Sequence, residues 1–210
     1  MAAMNDDYLQ PYREAAKQYG SGFDVTLWAT PRTQAIRFAV IAQMIDLTGK
    51  TVLDAGCSRG DFAAYLHAAG VSFGRFVGVD GVDEVVEIAS GRGLERCRFV
   101  AGDFVQRPEL LATDRPEVVT ISGSLNTMRL ETALAVLEGA WAGASEALIF
   151  NFLSDRAGDR APRQSHPAHR LPLMELLDWA LSKSWDVQLR QDYFEYGHDA
   201  TILVRHAGRR

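Results

Sequence analysis

Three short segments carry residue types able to hold a nucleotide-like ligand. In Val52-Leu53-Asp54-Ala55-Gly56-Cys57-Ser58-Arg59-Gly60-Asp61-Phe62 an apolar run meets a glycine turn and then a helical pattern. Glycine at 56 and 60 lets the backbone turn with positive φ and come close to a ligand. A dinucleotide site asks for G-x-G-x-x-G so that the backbone can hug a pyrophosphate. Here Cys57 or Ser58 stands where the middle glycine belongs, which weakens the pyrophosphate reading. Asp80, followed by Gly81, ends a second apolar run about 20 residues past the turn, where a carboxylate accepts bonds from ribose hydroxyls. Asp103 and Phe104 close a third run, Arg98 to Ala101, and pair a carboxylate with a ring, a combination that can hold an amino-purine.

A second group bears on a reacting partner. The connection from Ser154 to Arg170 is long and carries Arg156, Arg160, Arg163, Arg170, His166 and His169 against Asp155 and Asp159. Connections of that length are commonly functional or disordered. It reads either as a lid over an acceptor, an anionic one included, or as a solvated surface loop. His166 and His169 are candidate general bases, because neutral imidazole titrates near physiological pH, although each also fits a surface histidine. Asn126 is a further polar candidate, and His198 reads as a structural turn residue. Trp28, Tyr8, Tyr12 and Tyr19 either wall a pocket or pack in a core.

The elements that must position these residues alternate. Strands are expected at Thr51 to Ala55, Arg75 to Asp80, Arg98 to Ala101, Glu117 to Ser122 and Ala147 to Leu153. Helices are expected at Asp61 to Ala69, Val82 to Ser90, Arg129 to Ala142 and from Pro172 to about Ser182. Trp185 to Phe194 and Thr201 to Arg205 flank Gly197-His198-Asp199 as an antiparallel hairpin. Two helices, Asp6 to Tyr19 and Pro31 to Asp46, precede the first strand, the second opened by Thr30-Pro31 as cap and first-turn residue. The order describes one α/β domain over 1–210, with a helical cap at 1–50 and a doubly wound, mostly parallel seven-stranded sheet over 51–210.

With its first motif VLDAGCSRG, its second strand ending VGVD and its third ending FVAGDF, the chain resembles the class I S-adenosylmethionine-dependent methyltransferases. The resemblance covers roughly Thr51 to Leu153. It extends to a group of small bacterial members through the segment Trp28 to Phe38, the fourth strand Ile121-Ser122-Gly123-Ser124-Leu125-Asn126 and the fifth Phe150-Asn151-Phe152-Leu153-Ser154. The resemblance implies S-adenosylmethionine as cofactor and S-adenosylhomocysteine as product. Asp54, Gly56 and Gly60, with Cys57 between them, would form the turn under the methionine part. Asp80, with Gly81, would take the ribose, Asp103 and Phe104 the adenine, and Ser122 would lie beside the methionine. Ser58 departs from the family, which usually has glycine there, and a stiffer or shifted turn is expected.

Composition narrows the partner. Over 210 residues the chain is 47% hydrophobic and carries a net charge of -5, and its pI near 5.5 argues against general attraction to a phosphate backbone. An Asn-Pro-Pro-Tyr type of signature after the fourth strand is missing, so no DNA partner is expected; an RNA or protein acceptor stays open behind a small molecule. The sequence shows no basic-then-apolar leader and no membrane span, so a cytoplasmic place is expected. Cys57 and Cys97, the only cysteines, read as buried thiols, and no metal spacing appears. Methyl transfer to a small acceptor is the expected reaction. A nicotinamide-dependent oxidoreductase and a non-catalytic nucleoside- or partner-binding domain are the alternatives.

Overall fold

The computed structural model describes residues 8–208. Seven strands form one sheet: β1 (Thr51–Ala55), β2 (Arg75–Asp80), β3 (Cys97–Ala101), β4 (Val118–Ser122), β5 (Ala147–Leu153), β6 (Val187–Arg190) and β7 (Asp199–Arg205). Their spatial order is β3-β2-β1-β4-β5-β7-β6. The first five are mutually parallel, and β7 runs antiparallel between β5 and β6. The helices are α1 (Gln10–Tyr19), α2 (Pro31–Met44), α3 (Asp61–Ala68), α4 (Asp83–Gly91), α5 (Leu130–Gly143) and α6 (Leu173–Lys183). This is the expected doubly wound fold with its antiparallel end, and β1, β2 and β5 coincide with the expected runs.

Strand alternation decides which helices cover which face. Leu53, Val77, Val119 and Leu148 point into one apolar cluster with Leu137 of α5 and Leu176 of α6. Their neighbours Val52, Phe76, Val118 and Ile149 join Phe38 and Ile41 of α2 and Phe62 and Leu66 of α3 on the opposite face. Central parallel strands are buried on both sides, which is why they read as continuous apolar runs. The α2–α3 face is aromatic: the Phe38 and Phe62 rings lie 4.9 Å apart and the Phe62 and Phe76 rings 6.1 Å apart. Full burial of one such ring contributes roughly 1.5–3 kcal/mol. The start of α2 is set locally: Thr30 is extended, its side chain accepts the Thr33 N–H at 3.1 Å, and Pro31 occupies the first turn.

Several expectations are corrected. Asp6 and Asp7, expected in the first helix, lie outside the described residues, and α1 starts at Gln10. The penultimate strand shrinks from 185–194 to Val187–Arg190, because the chain then leaves the sheet and crosses the strand ends before β7, carrying Phe194 onto Arg37. Cys57 is buried, but Cys97 is only half-buried, since β3 is an edge strand.

One polar interaction fastens α2 to the last strand. Arg37 is 6% exposed and Asp199 1%, and the Arg37 Nε donates to Asp199 Oδ2. Removing one partner of a buried pair strands the other charge, whereas removing both can be nearly neutral. Asp199→Ala is therefore expected to cost about 3–5 kcal/mol in chemical denaturation, and a second change, Arg37→Met, to restore part of it. A single variant as stable as the parent would show that the pair does not fasten the helix.

Candidate functional site

The strand order reverses between β1 and β4, so the connections after them diverge and leave a crevice outside the carboxyl ends of the strands. A cavity of about 840 Å³ fills it. At one end it is bounded by the β1 and β2 ends, with Gly56, Ser58, Asp80 and Gly81, and by Phe104. Ser122, Ser124 and Asn126 at the β4 end form its middle, and residues 160–168 with 194–198 its far end.

The turn after β1 is held from two sides. Gly56 has φ +82°, and a Cβ there would stand 2.6 Å from the Ser124 Oγ, so only glycine fits. Ser58 adopts φ +45°, a left-handed conformation that costs a side-chain-bearing residue roughly 1–2 kcal/mol. Its N–H donates to Asp80 Oδ2 at 2.8 Å, and the Val82 N–H donates to Asp80 Oδ1 at 3.0 Å. The serine is thus held in a glycine-like conformation, and the carboxylate still has free lone pairs on the cavity wall.

Two carboxyls are set into this low-dielectric floor. Burial pushes the Asp80 pKa up to about 6, against the pull of the Ser58, Val82 and Gly81 N–H groups. Asp54 lies beneath the turn, 3% exposed, where its Oδ1 accepts the Thr120 hydroxyl at 2.9 Å. Burial raises its pKa to about 7, with Asp80 adding to the rise.

The expected site residues divide. Gly56, Asp80, Gly81, Phe104, Ser122, Asn126 and His166 line the cavity. Asp54, Cys57, Gly60, Asp103 and His169 do not. Gly60 starts α3 with φ +73°, and Cys57 packs under the turn so closely that Gly78 can bear no Cβ. Asp103 stands behind the wall, where its Oδ1 accepts the Tyr8 hydroxyl and the Val105 N–H. That bond ties the segment before α1 over the β2 and β3 ends. Asn126 is a strut: its Oδ1 accepts the Leu153 N–H at 2.8 Å, and its carbonyl accepts the His169 N–H at 2.9 Å. Ser122 accepts the amide of buried Asn151 at 3.0 Å.

Of the aromatics, Tyr8, Tyr12 and Trp28 line the cavity, while Tyr19 is exposed and apart from it. Trp28 rests on Gly123, whose φ of +82° and absent side chain admit the indole. His198 is more than a turn residue: it lines the cavity, and its Nδ1 faces Arg170 Nη2 at 3.1 Å. Sequence reasoning assigned no role to Arg37, Thr33, Phe194 or Tyr196, which complete the far wall. A signal existed for Arg37, a charge on the apolar stripe of α2 with Phe38 and Ile41.

Residues 46–146 match the family model described as a methyltransferase domain. No curated protein matches the sequence. Among solved structures the chain is similar to the magnesium protoporphyrin IX methyltransferase of Synechocystis PCC 6803 with bound SAM, at 18% identity and TM-score 0.68 over 99% of this chain and 100% of that one. It is similar to the DhpI-SAM-HEP complex at 15% identity and TM-score 0.68, over 97% and 99% of the two chains. Phosphoethanolamine N-methyltransferase 1 of Haemonchus contortus gives 14% identity and TM-score 0.68, over 100% of this chain and 51% of that one. At such identities the likeness is one of fold.

The buried carboxyls give a pH test. A carboxyl whose folded pKa lies above its unfolded value binds more protons when folded, so its contribution is fully present below about pH 4 and is lost as pH rises through about 7 for Asp54. Asp54→Asn keeps an acceptor for Thr120 and removes the buried charge. It should stabilise the protein by roughly 2–4 kcal/mol at pH 8 and by clearly less at pH 5, read from melting at both. A loss of stability at pH 8 would refute the assignment.

Proposed function

From a chain that carries a methyltransferase domain over residues 46–146, set in the Rossmann-like fold of the class I methyltransferases, we propose an S-adenosylmethionine-dependent enzyme that methylates a small molecule in the cytoplasm. The observation that carries this reading is one continuous cavity whose β1–β2 end is lined by Gly56, Asp80 and Phe104 and whose far end is walled by a separate loop and two aromatic segments. Its volume of about 840 Å³ lies toward the upper end of single-ligand pockets and leaves room for an acceptor beside the cofactor.

The residues present fit the cofactor. Asp80, already fixed by two N–H donors, keeps lone pairs for a ribose diol. Phe104 and Val82 supply an apolar wall for a purine, and the glycine at 56 keeps the floor open under the methionine part. Ser122, held by Asn151, offers a hydroxyl in the middle of the cavity. When bound, S-adenosylmethionine supplies an activated methyl group with its own leaving group. The protein's task is to orient an acceptor in line, to exclude water and, where the acceptor keeps its proton, to remove it. Among the expected bases, His166 reaches the cavity wall and His169 does not. His198 is kept neutral by burial, its pKa lowered. Because its Nδ1 accepts from Arg170, its Nε2 carries the proton and is no base.

A thermal-shift panel tests the class: S-adenosylhomocysteine should raise the melting temperature and NADH should not. Asp80→Ala should weaken S-adenosylhomocysteine binding in calorimetry by about ten- to a hundredfold through loss of the charge-assisted ribose bonds. The reverse pattern in the panel would point to hydride transfer, and unchanged affinity of the variant would remove Asp80 from the site. Transfer of label from methyl-labelled cofactor separates an enzyme from a binding domain.

A further inference from the structure

The far end of the cavity is built around a guanidinium that the fold has immobilised. Arg37 lies against two rings, 4.5 Å from the Trp28 centroid and 4.6 Å from that of Phe194. Its Nε donates to Asp199 and its Nη1 donates to the Thr33 carbonyl at 3.0 Å. Among the described residues Nη2 has no partner, and the side chain borders the cavity. Both rings lie within cation–π reach of the group, two of its nitrogens are already engaged, and Nη2 is left to donate. A guanidinium fixed in this way recognises carboxylate or phosphate oxygens with little loss of side-chain freedom.

The same end of the cavity adds charge of the same sign. Arg160 and Arg163 sit on the 154–170 connection, border the cavity, are exposed, and form no ion pair among the described residues. That connection is tethered at its base by Arg170, which donates to the Ser154, Pro162 and His198 carbonyls. Against these cations stand Asp199, engaged by Arg37, exposed Glu195 at this end, Asp155 and Asp159 on the connection itself, and Asp80 at the β1–β2 end of the cavity. The protein as a whole is acidic at -5, so a local cluster of cations facing one cavity is not a by-product of composition. Trp28, Phe194 and Tyr196 beside it provide apolar surface.

The geometry points to an acceptor that carries an anionic oxygen group, carboxylate or phosphoryl, anchored on Arg37 Nη2 and covered by Arg160 and Arg163. This rests on the methyl-transfer reading and narrows its substrate class. Such an anchor is worth most in a site closed from water, where charge interactions are less screened. The loop that supplies the two flexible arginines is the one that would exclude that water.

The test uses the full chain saturated with S-adenosylhomocysteine and three probes of one shape: benzoate, phenyl phosphate and the neutral benzamide, titrated by calorimetry. At least one anion should bind about tenfold or more tightly than benzamide, and which one identifies the group. The double variant Arg160→Gln/Arg163→Gln, altered only at exposed positions, should lose most of that preference while keeping its affinity for S-adenosylhomocysteine. Arg37→Lys, which keeps the charge but has no planar edge to present beside the rings, should lower it too, with melting used to confirm folding. Benzamide binding as tightly as both anions, no anion binding at millimolar concentration, or a double variant with its preference intact would overturn the proposal. Failure of the parent to bind S-adenosylhomocysteine would strike the methyl-transfer reading instead, and the anion preference is then still read without it.

Discussion

The reversal of strand order between β1 and β4 is the constraint on which the rest depends. A chain that winds outward to β3 and returns to β4 must send the two connections apart at the carboxyl ends of the strands. The crevice this leaves is where backbone N–H groups, strand-end carboxylates and a glycine without a side chain meet. Asp80 is fixed there by donors from the β1 turn and from the start of the next helix, so one carboxylate couples two strand ends. The cost is carried in the floor, where burial raises the proton affinity of both Asp54 and Asp80 and the Asp80 charge adds to the rise at Asp54. A plain core avoids such groups, and here one lines the cavity while the other lies beneath its turn.

The antiparallel end of the sheet is more than a way to finish it. Inserting β7 between β5 and β6 brings Asp199 to the strand ends beside Leu153, within reach of α2. The segment before it carries Phe194 across to Arg37, against which Trp28 also lies. A helix that precedes the nucleotide fold in sequence thereby joins a strand from its far end around a single guanidinium. The N-terminal region is fastened at the other end of the crevice as well, through Tyr8 on Asp103 and Leu9 against Gly81. The described residues before β1 span the crevice, held by Tyr8 and Leu9 at one end of it and by Arg37 at the other.

How much could be read in advance depended on range. The strands β1, β2 and β5 were legible because burial on both faces leaves continuous apolar runs bounded by glycine or acidic residues. The penultimate strand was not, because its alternation continues past Arg190 while Phe194 leaves the sheet for a tertiary partner. Cys97 looked as buried as Cys57 because sequence does not say which parallel strand lies at the edge. Asp103 and His169 have the residue types of a site, yet local hydrogen bonding turns one behind the wall and leaves only the backbone of the other engaged.

By itself the sequence determined the fold class, the glycine turn with its acidic strand ends, and the resemblance to the methyltransferases, because each is written in contiguous residues whose local chemistry has few alternatives. It also flagged Ser58 as a departure. Only the tertiary structure decided that Ser58 keeps the left-handed conformation of a glycine, since that follows from its bond to Asp80. Only the tertiary structure chose which candidates face the cavity, and only it built the far end of that cavity. Arg37 and Asp199 are far apart in the chain, as are Trp28 and Phe194, and no local pattern tells a buried charge which partner will reach it.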